Sequence, residues 1–161
     1  MNAGATAAVD QSLVGKELDV VSFPIERGKV AELARALGDD DPVYRDESAA
    51  RAAGHDGIPA PLTATVVATH WRDRAEDQLA IELGLDLARL LHGETEWEYL
   101  APVHVGDELT GRRRVVDVTT REGRRGGAMT LLTWETEFTN QHGQAVVRQR
   151  DTLIELSLIH I

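Results

Sequence analysis

The chain contains no cysteine, which excludes a disulfide scaffold, a thiol nucleophile and a cysteine-based metal site. It also lacks any stretch close to the roughly 20 consecutive apolar residues that a membrane span needs. Residues 1–10 have neither a basic region nor a long apolar segment, so they do not resemble a secretion signal. These absences are compatible with a cytoplasmic protein, and we expect that location.

Basic residues are in deficit, with 17 Lys and Arg against 27 Asp and Glu and a formal net charge of −10. Such an acidic surface repels phosphate backbones, which argues against nucleic acid as a partner. At 161 residues the chain is long enough for one domain and too short for two. We expect a flexible lead-in over residues 1–11 and one domain over residues 12–156. Residues 157–161 resemble a translated sequencing adapter, which predicts a non-native tail.

The first half of the chain has the patterns of one strand followed by short helices. Residues 13–23 are predicted to form the strand. An i, i+3, i+4, i+7 apolar pattern over residues 30–37 predicts an amphipathic helix that ends at Gly38. Asp46 can cap a second short helix, which is predicted to end near Gly54.

The rest of the chain predicts a central helix and then several antiparallel strands. The helix is expected to run from Pro61 to beyond Trp71, because this stretch is apolar and rich in small residues. Residues 94–99 alternate glutamate with larger side chains, which is typical of a strand with one buried face. The residues predicted for that face are Thr95, Trp97 and Tyr99. A strand over 129–139, a turn over 140–143 and a last strand over 145–156 complete an α+β architecture.

The acidic loop after the first helix carries the most informative motif. Residues 38–44 read Gly-Asp-Asp-Asp-Pro-Val-Tyr. This stretch resembles the Gly-Asp-x-Asn-Pro-aliphatic-His segment of R-specific enoyl-CoA hydratases and MaoC-like dehydratases. The chain keeps Asp39 but has Asp41 where the family has asparagine and Tyr44 where it has histidine. The resemblance therefore implies a degenerate catalytic site, in which Asp39 is the retained catalytic residue.

The change at position 44 removes a group that the chemistry needs. Hydration of an α,β-unsaturated thioester takes a base that titrates near neutrality, a proton donor and hydrogen-bond donors for the enolate oxygen. A phenol with a reference pKa of about 10 cannot be that base unless its surroundings lower the pKa by roughly three units. Tyr44 has two other roles open to it, as a half-buried aromatic that closes the loop or as part of the acyl tunnel. Without the resemblance, residues 39–41 are simply an acidic loop that ends a helix.

A second stretch lies close to where catalytic members carry an Ile-Ala-His-Gly-Met-Leu segment. In those members, a backbone N–H at the start of the central helix donates to the thioester carbonyl. The resemblance implies a substrate-binding role for Gly57, Ile58, Pro59, Ala60 and Pro61. Pro61 falls at or near the glycine of that segment and has no N–H to donate. A proline in the first turn of a helix is also ordinary, so Pro61 is open to a purely structural interpretation.

Residues 94–109 are similar to the strand-and-turn signature of the MaoC-type dehydratase N-terminal domain, also called the FAS1-like dehydratase domain. Within this family the chain resembles the non-catalytic subunits of heterodimeric (3R)-hydroxyacyl-thioester dehydratases. Those subunits pair with a hot-dog subunit that brings the catalytic aspartate and histidine. The resemblance implies a single hot-dog domain, in which an antiparallel sheet wraps around a long central helix.

Arginines are concentrated between positions 112 and 125 of this otherwise acidic chain. A hairpin with that charge could hold the phosphates of coenzyme A or the acidic surface of an acyl carrier protein. The candidates for this contact are Arg112, Arg114, Arg121, Arg124 and Arg125. The alternative is an ordinary solvated hairpin with a glycine-rich tip.

The histidines give one candidate base and no metal site. His55 lies eleven residues after Tyr44 and six before Pro61, so it is close enough in sequence to reach the cleft. The alternative for His55 is an exposed loop residue. His92 and His104 lack the spacing of metal ligands, and we expect neither a metal nor a cofactor.

The sequence predicts a subunit of a (3R)-hydroxyacyl-thioester dehydratase or enoyl-CoA hydratase. It would bind the acyl chain of acyl-CoA or acyl carrier protein substrates, while a MaoC-type catalytic hot-dog subunit supplies the acid and base. An exposed sheet edge favours such pairing, either with that subunit or with a second copy. One alternative is a self-sufficient homodimeric hydratase that uses Asp39 with His55 or another base. A second alternative is an acyl-thioester binding module without catalysis.

Overall fold

The computed structural model of the chain describes residues 10–73, 76–122 and 127–156. Most of the predicted lead-in, the predicted tail over 157–161 and both Arg124 and Arg125 lie outside the described residues. Asp10 caps a short 3₁₀ helix, Gln11–Leu13, through a hydrogen bond from the Ser12 N–H to its carboxylate. The described part of the chain therefore has regular structure from Gln11 onward.

Five antiparallel strands form one sheet in the described residues, in the order β1-β3-β4-β5-β2. The strands are β1 Glu17–Pro24, β2 Leu90–Tyr99, β3 Glu108–Glu122, β4 Ala128–Thr139 and β5 Ala145–Leu156. The α-helices are α1 Arg27–Ala36, α2 Glu47–Ala52 and α3 Glu76–Glu82. Further 3₁₀ helices span Pro42–Tyr44, Ala64–Trp71 and Leu87–Arg89. Short helices followed by antiparallel strands confirm the α+β class.

Most helices and strands with clear sequence signals lie where they were predicted, but β1 begins at Glu17 rather than at residue 13. Helix α1 ends next to Gly38, whose φ of 73° is the left-handed conformation that favours glycine. Asp46 caps α2, because its carboxylate accepts a hydrogen bond from the Ala49 N–H at 2.7 Å. The turn after β4 is closed by the Gly143 N–H, which donates to the Asn140 carbonyl at 2.9 Å. Strand β5 has the predicted bounds.

The central helix differs from its prediction in start and type. It begins at Ala64 rather than Pro61, and it is a 3₁₀ helix of eight residues that ends at Trp71. Its N-cap, Thr63, makes no side-chain capping bond. Threonines and valines are dense here, and their β-branched side chains lower α-helix propensity. Only one face is buried, whereas Val66 on the other face is 43% exposed.

The core has two clusters, and the first lies beneath the acidic loop and the start of the central helix. In it Phe23 and Phe138 pack edge to face with ring centroids 6.0 Å apart. Buried members of this cluster also include Ile25, Val30 and Leu109. The second cluster packs helix α3 and the following loop against the sheet. Its buried members are Leu79, Ala80, Leu83, Leu85, Val115, Val118, Leu132 and Trp134.

Strand β2 forms one edge of the sheet and only partly follows the predicted alternation. Thr95 and Trp97 are half-buried, as expected for the core face. Tyr99 is 47% exposed, so its predicted place on the buried face is wrong. Its hydroxyl instead donates to the Leu62 carbonyl at 2.9 Å, which ties the end of the strand to the segment before the central helix.

Candidate functional site

The acidic loop is held in shape by its own carboxylates. The Asp41 N–H donates to Asp39 Oδ1 at 3.0 Å, and the Val43 N–H donates to Asp41 Oδ1 at the same distance. The second bond caps the 3₁₀ helix Pro42–Tyr44. Each carboxylate therefore has one oxygen engaged in loop geometry. The other oxygen of Asp39 makes no hydrogen bond to a described residue.

Tyr44 packs against the first core cluster and is half-buried. Burial raises the pKa of its phenol, and the negative charges of Asp39 and Asp41 raise it further. A base at neutral pH needs the opposite shift, so the phenol stays protonated in the range where a hydratase works. The loop therefore holds a carboxylate but no group that can take a proton near pH 7.

The segment before the central helix is pinned to the turn that precedes β3. The Ala60 N–H donates to the Val103 carbonyl, and the Val105 N–H donates to the Ile58 carbonyl, both at 2.9 Å. Pro59 forms a bridge with His104 between these bonds. The two hydrogen bonds hold this segment in place, which is what a substrate-positioning backbone requires.

Pro61 follows this pinned segment, is buried and has no N–H. The next two residues, Leu62 and Thr63, have backbone N–H groups that make no hydrogen bond to a described residue. These two groups are the free donors at the start of the central helix. They lie one and two positions later in the chain than the position at which catalytic relatives donate.

A cavity of about 430 Å³, called cavity A here, opens beside this segment. Of the predicted site residues, His55, Pro59, Ala60 and Pro61 line it. Asp39, Asp41 and Tyr44 do not line it, and neither do Gly57 and Ile58. The other lining side chains are mostly apolar: Ile25, Leu62, Ala64, Thr65, Tyr99, Leu100, Ala101, Pro102, Val103, Leu109 and Val147. This size and lining suit an acyl chain.

His55 is exposed at the edge of cavity A, after helix α2. Its backbone N–H donates to the Ala50 carbonyl at 3.0 Å, which continues the helix end. Its imidazole makes no hydrogen bond to a described residue. The structure thus places the candidate base His55 on cavity A, while residues 39–44 stay outside the cavity wall.

The arginines of β3 do not form one basic surface. Arg114 donates to Glu135 Oε1 at 3.1 Å, and Arg150 donates to Glu135 Oε2 at 2.9 Å. Burial alone would raise the pKa of Glu135, but the bonds from these arginines lower it. Arg112 is exposed opposite Glu137, and Arg121 is exposed near the end of the strand. A carboxylate already holds Arg114, and the role of Arg112, Arg114 and Arg121 toward phosphate stays a prediction.

Arg113 has a role that the sequence did not reveal. It is 4% exposed, donates to both oxygens of Asp19 and lies over the Trp134 ring at 4.7 Å. Arg72 also donates to Asp19. Burial would raise the pKa of Asp19, but the bond from Arg113 and the charges of both arginines lower it. This group is a buried ion pair that ties β1 to β3 and to the end of the central helix.

Thr65 was also missed, although it links the helix to two strands. Its hydroxyl donates to Gln149 Oε1 at 2.6 Å and accepts from Trp97 Nε1 at 3.0 Å. Thr65 lines cavity A and also a second cavity on the far side. A threonine in an apolar helix and a glutamine in a core strand were the available signals. Neither could be paired with the other without the strand register.

The described residues contain neither a metal-type cluster of side chains nor a membrane-spanning helix. Within residues 10–73, 76–122 and 127–156, no three His, Asp or Glu side chains are grouped as metal ligands would be. Among the same residues, no helix has the length and apolar character of a membrane crossing.

Comparison with known proteins assigns the family. The family model described as "FAS1-like, dehydratase domain region" matches residues 12–149. The chain belongs to this family. A UPF0336 protein of Saccharopolyspora erythraea is 34% identical over 149 residues, which are 91% of this chain and 90% of the relative. A UPF0336 protein of Streptomyces coelicolor is 40% identical over 143 residues, which cover 87% of this chain and 90% of the relative.

Solved structures of hot-dog dehydratases have the same fold as this family member. A protein named MaoC-like dehydratase superposes with a TM-score of 0.74 at 27% identity, over 91% of this chain and 43% of that chain. A HadBC (3R-hydroxyacyl-ACP dehydratase) complex from Mycobacterium tuberculosis superposes with a TM-score of 0.67 at 24% identity, covering 91% and 98%. The ChsH1-ChsH2 complex from the same species gives 0.70 at 21% identity, covering 91% and 86%. The predicted hot-dog architecture is confirmed.

Proposed function

We propose that this chain is the acyl-binding, non-catalytic subunit of a (3R)-hydroxyacyl-thioester dehydratase or enoyl-thioester hydratase. One observation carries the proposal: a half-buried tyrosine with a raised pKa stands where the family has its basic histidine. Loop, pinned segment and apolar cavity are all present, but no base near neutrality accompanies Asp39. The scaffold for binding is therefore retained while the proton-transfer group is not.

The reaction assigns separate tasks to the two subunits. Dehydration removes the α-proton and the 3-hydroxyl of the substrate as water and leaves an α,β double bond. A partner's base would take the α-proton and its acid would protonate the leaving hydroxyl. Cavity A would bury the acyl chain and fix its reacting carbons against those groups, which lowers the entropic part of the barrier.

A partner surface is available on the edge strand and around the mouth of cavity A. Strand β2 ends the sheet, so one row of its backbone groups is unpaired within the described residues. Leu62, Leu91, Tyr99 and Leu100 are between 42% and 67% exposed along this edge and mouth. Exposed apolar side chains favour burial against another chain, and the exposed Glu94, Glu96 and Glu98 lie between Leu91 and Tyr99 on this strand. Two of the similar solved structures, HadBC and ChsH1-ChsH2, are described as complexes.

The deciding experiment is crotonyl-CoA hydration, followed by the loss of enoyl absorbance. We expect no turnover by the purified chain, weak turnover by a MaoC-type subunit from the same genome, and strong turnover by their mixture. A Leu100→Glu variant should abolish the gain on mixing, whereas Leu37→Glu, at the exposed residue that follows helix α1, is the control and should not. Robust turnover by the isolated chain contradicts the proposal.

A self-sufficient hydratase is the second candidate, because His55 lies on the wall of cavity A. If the isolated chain does turn over crotonyl-CoA, His55→Gln should remove that activity, and His142→Gln on the β4–β5 turn should not. If His55→Gln has no effect, the activity belongs to another group. Stoichiometric binding of a thioester without turnover, alone or in the mixture, would instead support a binding module.

A further inference from the structure

A second cavity, called cavity B here, lies on the opposite side of Thr65 and is lined by none of the site residues predicted from the sequence. Its volume is about 470 Å³. The central helix, helix α3 and strands β2 to β5 all contribute to its wall. At its rim Val66 and Leu87 are 43% and 41% exposed, and Leu90 and Leu153 continue the apolar wall inward. The polar side chains on the wall are Thr65, Thr69, Arg72, His92, Thr95, Arg113, Thr136, Gln149 and Asp151, of which Arg72 and Arg113 are held by Asp19.

A β-bulge brings His92 and Thr95 to the same side of strand β2. Residues three apart in a regular strand point to opposite faces of the sheet. Here Gly93 is an extra residue, because His92 pairs with Leu153 while Glu94 pairs with its neighbour Thr152. A Cβ at position 93 would lie 3.0 Å from the Ile154 side chain, so glycine is what lets the bulge pack this closely.

The result is a chain of hydrogen bonds from the rim of cavity B into the sheet. Thr95 Oγ1 donates to Asp151 Oδ1 at 2.7 Å, and His92 Nε2 lies 2.9 Å from Thr95 Oγ1. The carboxylate is also held by Trp134 Nε1 at 3.1 Å and by the Gln149 amide at 3.0 Å. Asp151 is thus fixed in place by donors from three neighbouring side chains.

These bonds determine which nitrogen of His92 carries the proton. An ionised carboxylate only accepts, so the single hydrogen of the Thr95 hydroxyl is committed to Asp151. Thr95 must then accept from His92, which places the proton on Nε2. Nδ1 of the neutral ring is left as an acceptor, and it makes no hydrogen bond to a described residue. His92, at the rim of cavity B, therefore carries one acceptor nitrogen that no described residue occupies.

We propose that cavity B is a second ligand site, which binds an aliphatic alcohol with its hydroxyl donating to Nδ1 of His92. The cavity volume lies within the range of roughly 300 to 1,000 Å³ that small-molecule sites have. The apolar wall takes the hydrocarbon, and the acceptor selects a ligand with an O–H. In this site His92 binds the ligand, while Thr95 and Asp151 are positioning residues. The proposal does not depend on the reaction at cavity A.

Two isomers of one formula test the proposal, namely 1-octanol and 1-methoxyheptane, because only the alcohol can donate a hydrogen bond. Each is titrated into the full chain, and binding is followed by the methyl signals of Leu87 and Leu153 for cavity B and of Val103 and Val147 for cavity A. We expect saturable shifts in the cavity B signals and a roughly 3- to 10-fold tighter binding of the alcohol, the worth of one neutral hydrogen bond.

His92→Phe should bring the affinity for the alcohol down to that for the ether, and His142→Phe should leave the preference intact. Thr95→Val, which frees the ring tautomer, should reduce the preference without abolishing binding of the ether. The proposal is overturned by equal affinities for the two isomers, by a preference that survives His92→Phe, or by shifts confined to Val103 and Val147. Absence of any saturable shift also overturns it.

Discussion

Restoring the family's loop residues should give this chain only a small part of a hydratase. The change is Tyr44→His together with Asp41→Asn, which places an imidazole and an amide where catalytic relatives have them. A positioned general base contributes roughly 10²- to 10⁴-fold. At present Tyr44 contributes no base, because burial and two neighbouring carboxylates raise the pKa of its phenol. We therefore expect measurable but weak crotonyl-CoA hydration from the double variant.

The missing backbone N–H at Pro61 determines how much turnover the double variant still lacks. Loss of one oxyanion donor costs roughly 10²- to 10³-fold in turnover. We expect that the free N–H groups of Leu62 and Thr63 do not replace it, because they lie one and two positions later in the chain. Adding Pro61→Gly to the double variant should recover most of that factor.

The assay is loss of enoyl absorbance with the isolated chain, at matched concentrations and after a check of folding by circular dichroism. Tyr44→Phe with Asp41→Asn is the matched control, since it removes the phenol oxygen without adding a base, and it should stay inactive. Turnover near that of a full hydratase from the double variant would refute the argument about Pro61. No gain even with Pro61→Gly would refute the interpretation of residues 38–44 as a degenerate catalytic loop.

Three further predictions concern stability, measured by chemical denaturation. Thr65→Val should lower the free energy of unfolding by about 1–3 kcal/mol, because it leaves Gln149 Oε1 and Trp97 Nε1 without their partner. No loss of stability would mean that water replaces the hydroxyl. Gly111→Ala should cost about 1–3 kcal/mol, since its Cβ would meet the Phe138 ring at 2.5 Å, whereas Gly28→Ala, which has open space, should not. Asp19→Asn should cost about 3 kcal/mol at pH 7. Because the folded pKa of Asp19 is lowered, its contribution is present above the unfolded pKa of about 4 and is lost as the pH falls through the folded pKa. The free energy of unfolding of the variant should therefore fall less than that of the wild type when the pH is lowered. An equal fall in both proteins contradicts this.

Local signals were sufficient for much of the fold. The apolar spacing of α1, the carboxylate that caps α2 and the turn before β5 each act over a few residues, and each was predicted with close bounds. The central helix was harder, because its dense β-branched residues compete with its apolar pattern. The motif over residues 38–44 predicts a degenerate catalytic loop, but it could not show that this loop lies outside the wall of cavity A.

The unpredicted parts depend on contacts between residues far apart in the chain. Arg113 and Asp19 are 94 positions apart, and Thr65 and Gln149 are 84 apart. Their pairing depends on strand order and register, which a pattern of period two does not determine. The bulge at Gly93 shifts the alternation of β2 by one residue. A prediction from strict alternation therefore assigns every residue on one side of the bulge to the wrong face of the sheet.

Tyr44, which stands where the family's motif has histidine, contributes to packing instead of to proton transfer. A histidine keeps a pKa near neutrality in a polar, accessible setting, because burial lowers the pKa of imidazole. An aromatic side chain gains stability from the opposite setting, and Tyr44 contacts the core cluster around Phe23 and Phe138. A tyrosine here therefore stabilises the loop and cannot take a proton at neutral pH. Such an exchange is tolerable only where the proton transfer is made by another group, which is why we place the base on a partner chain.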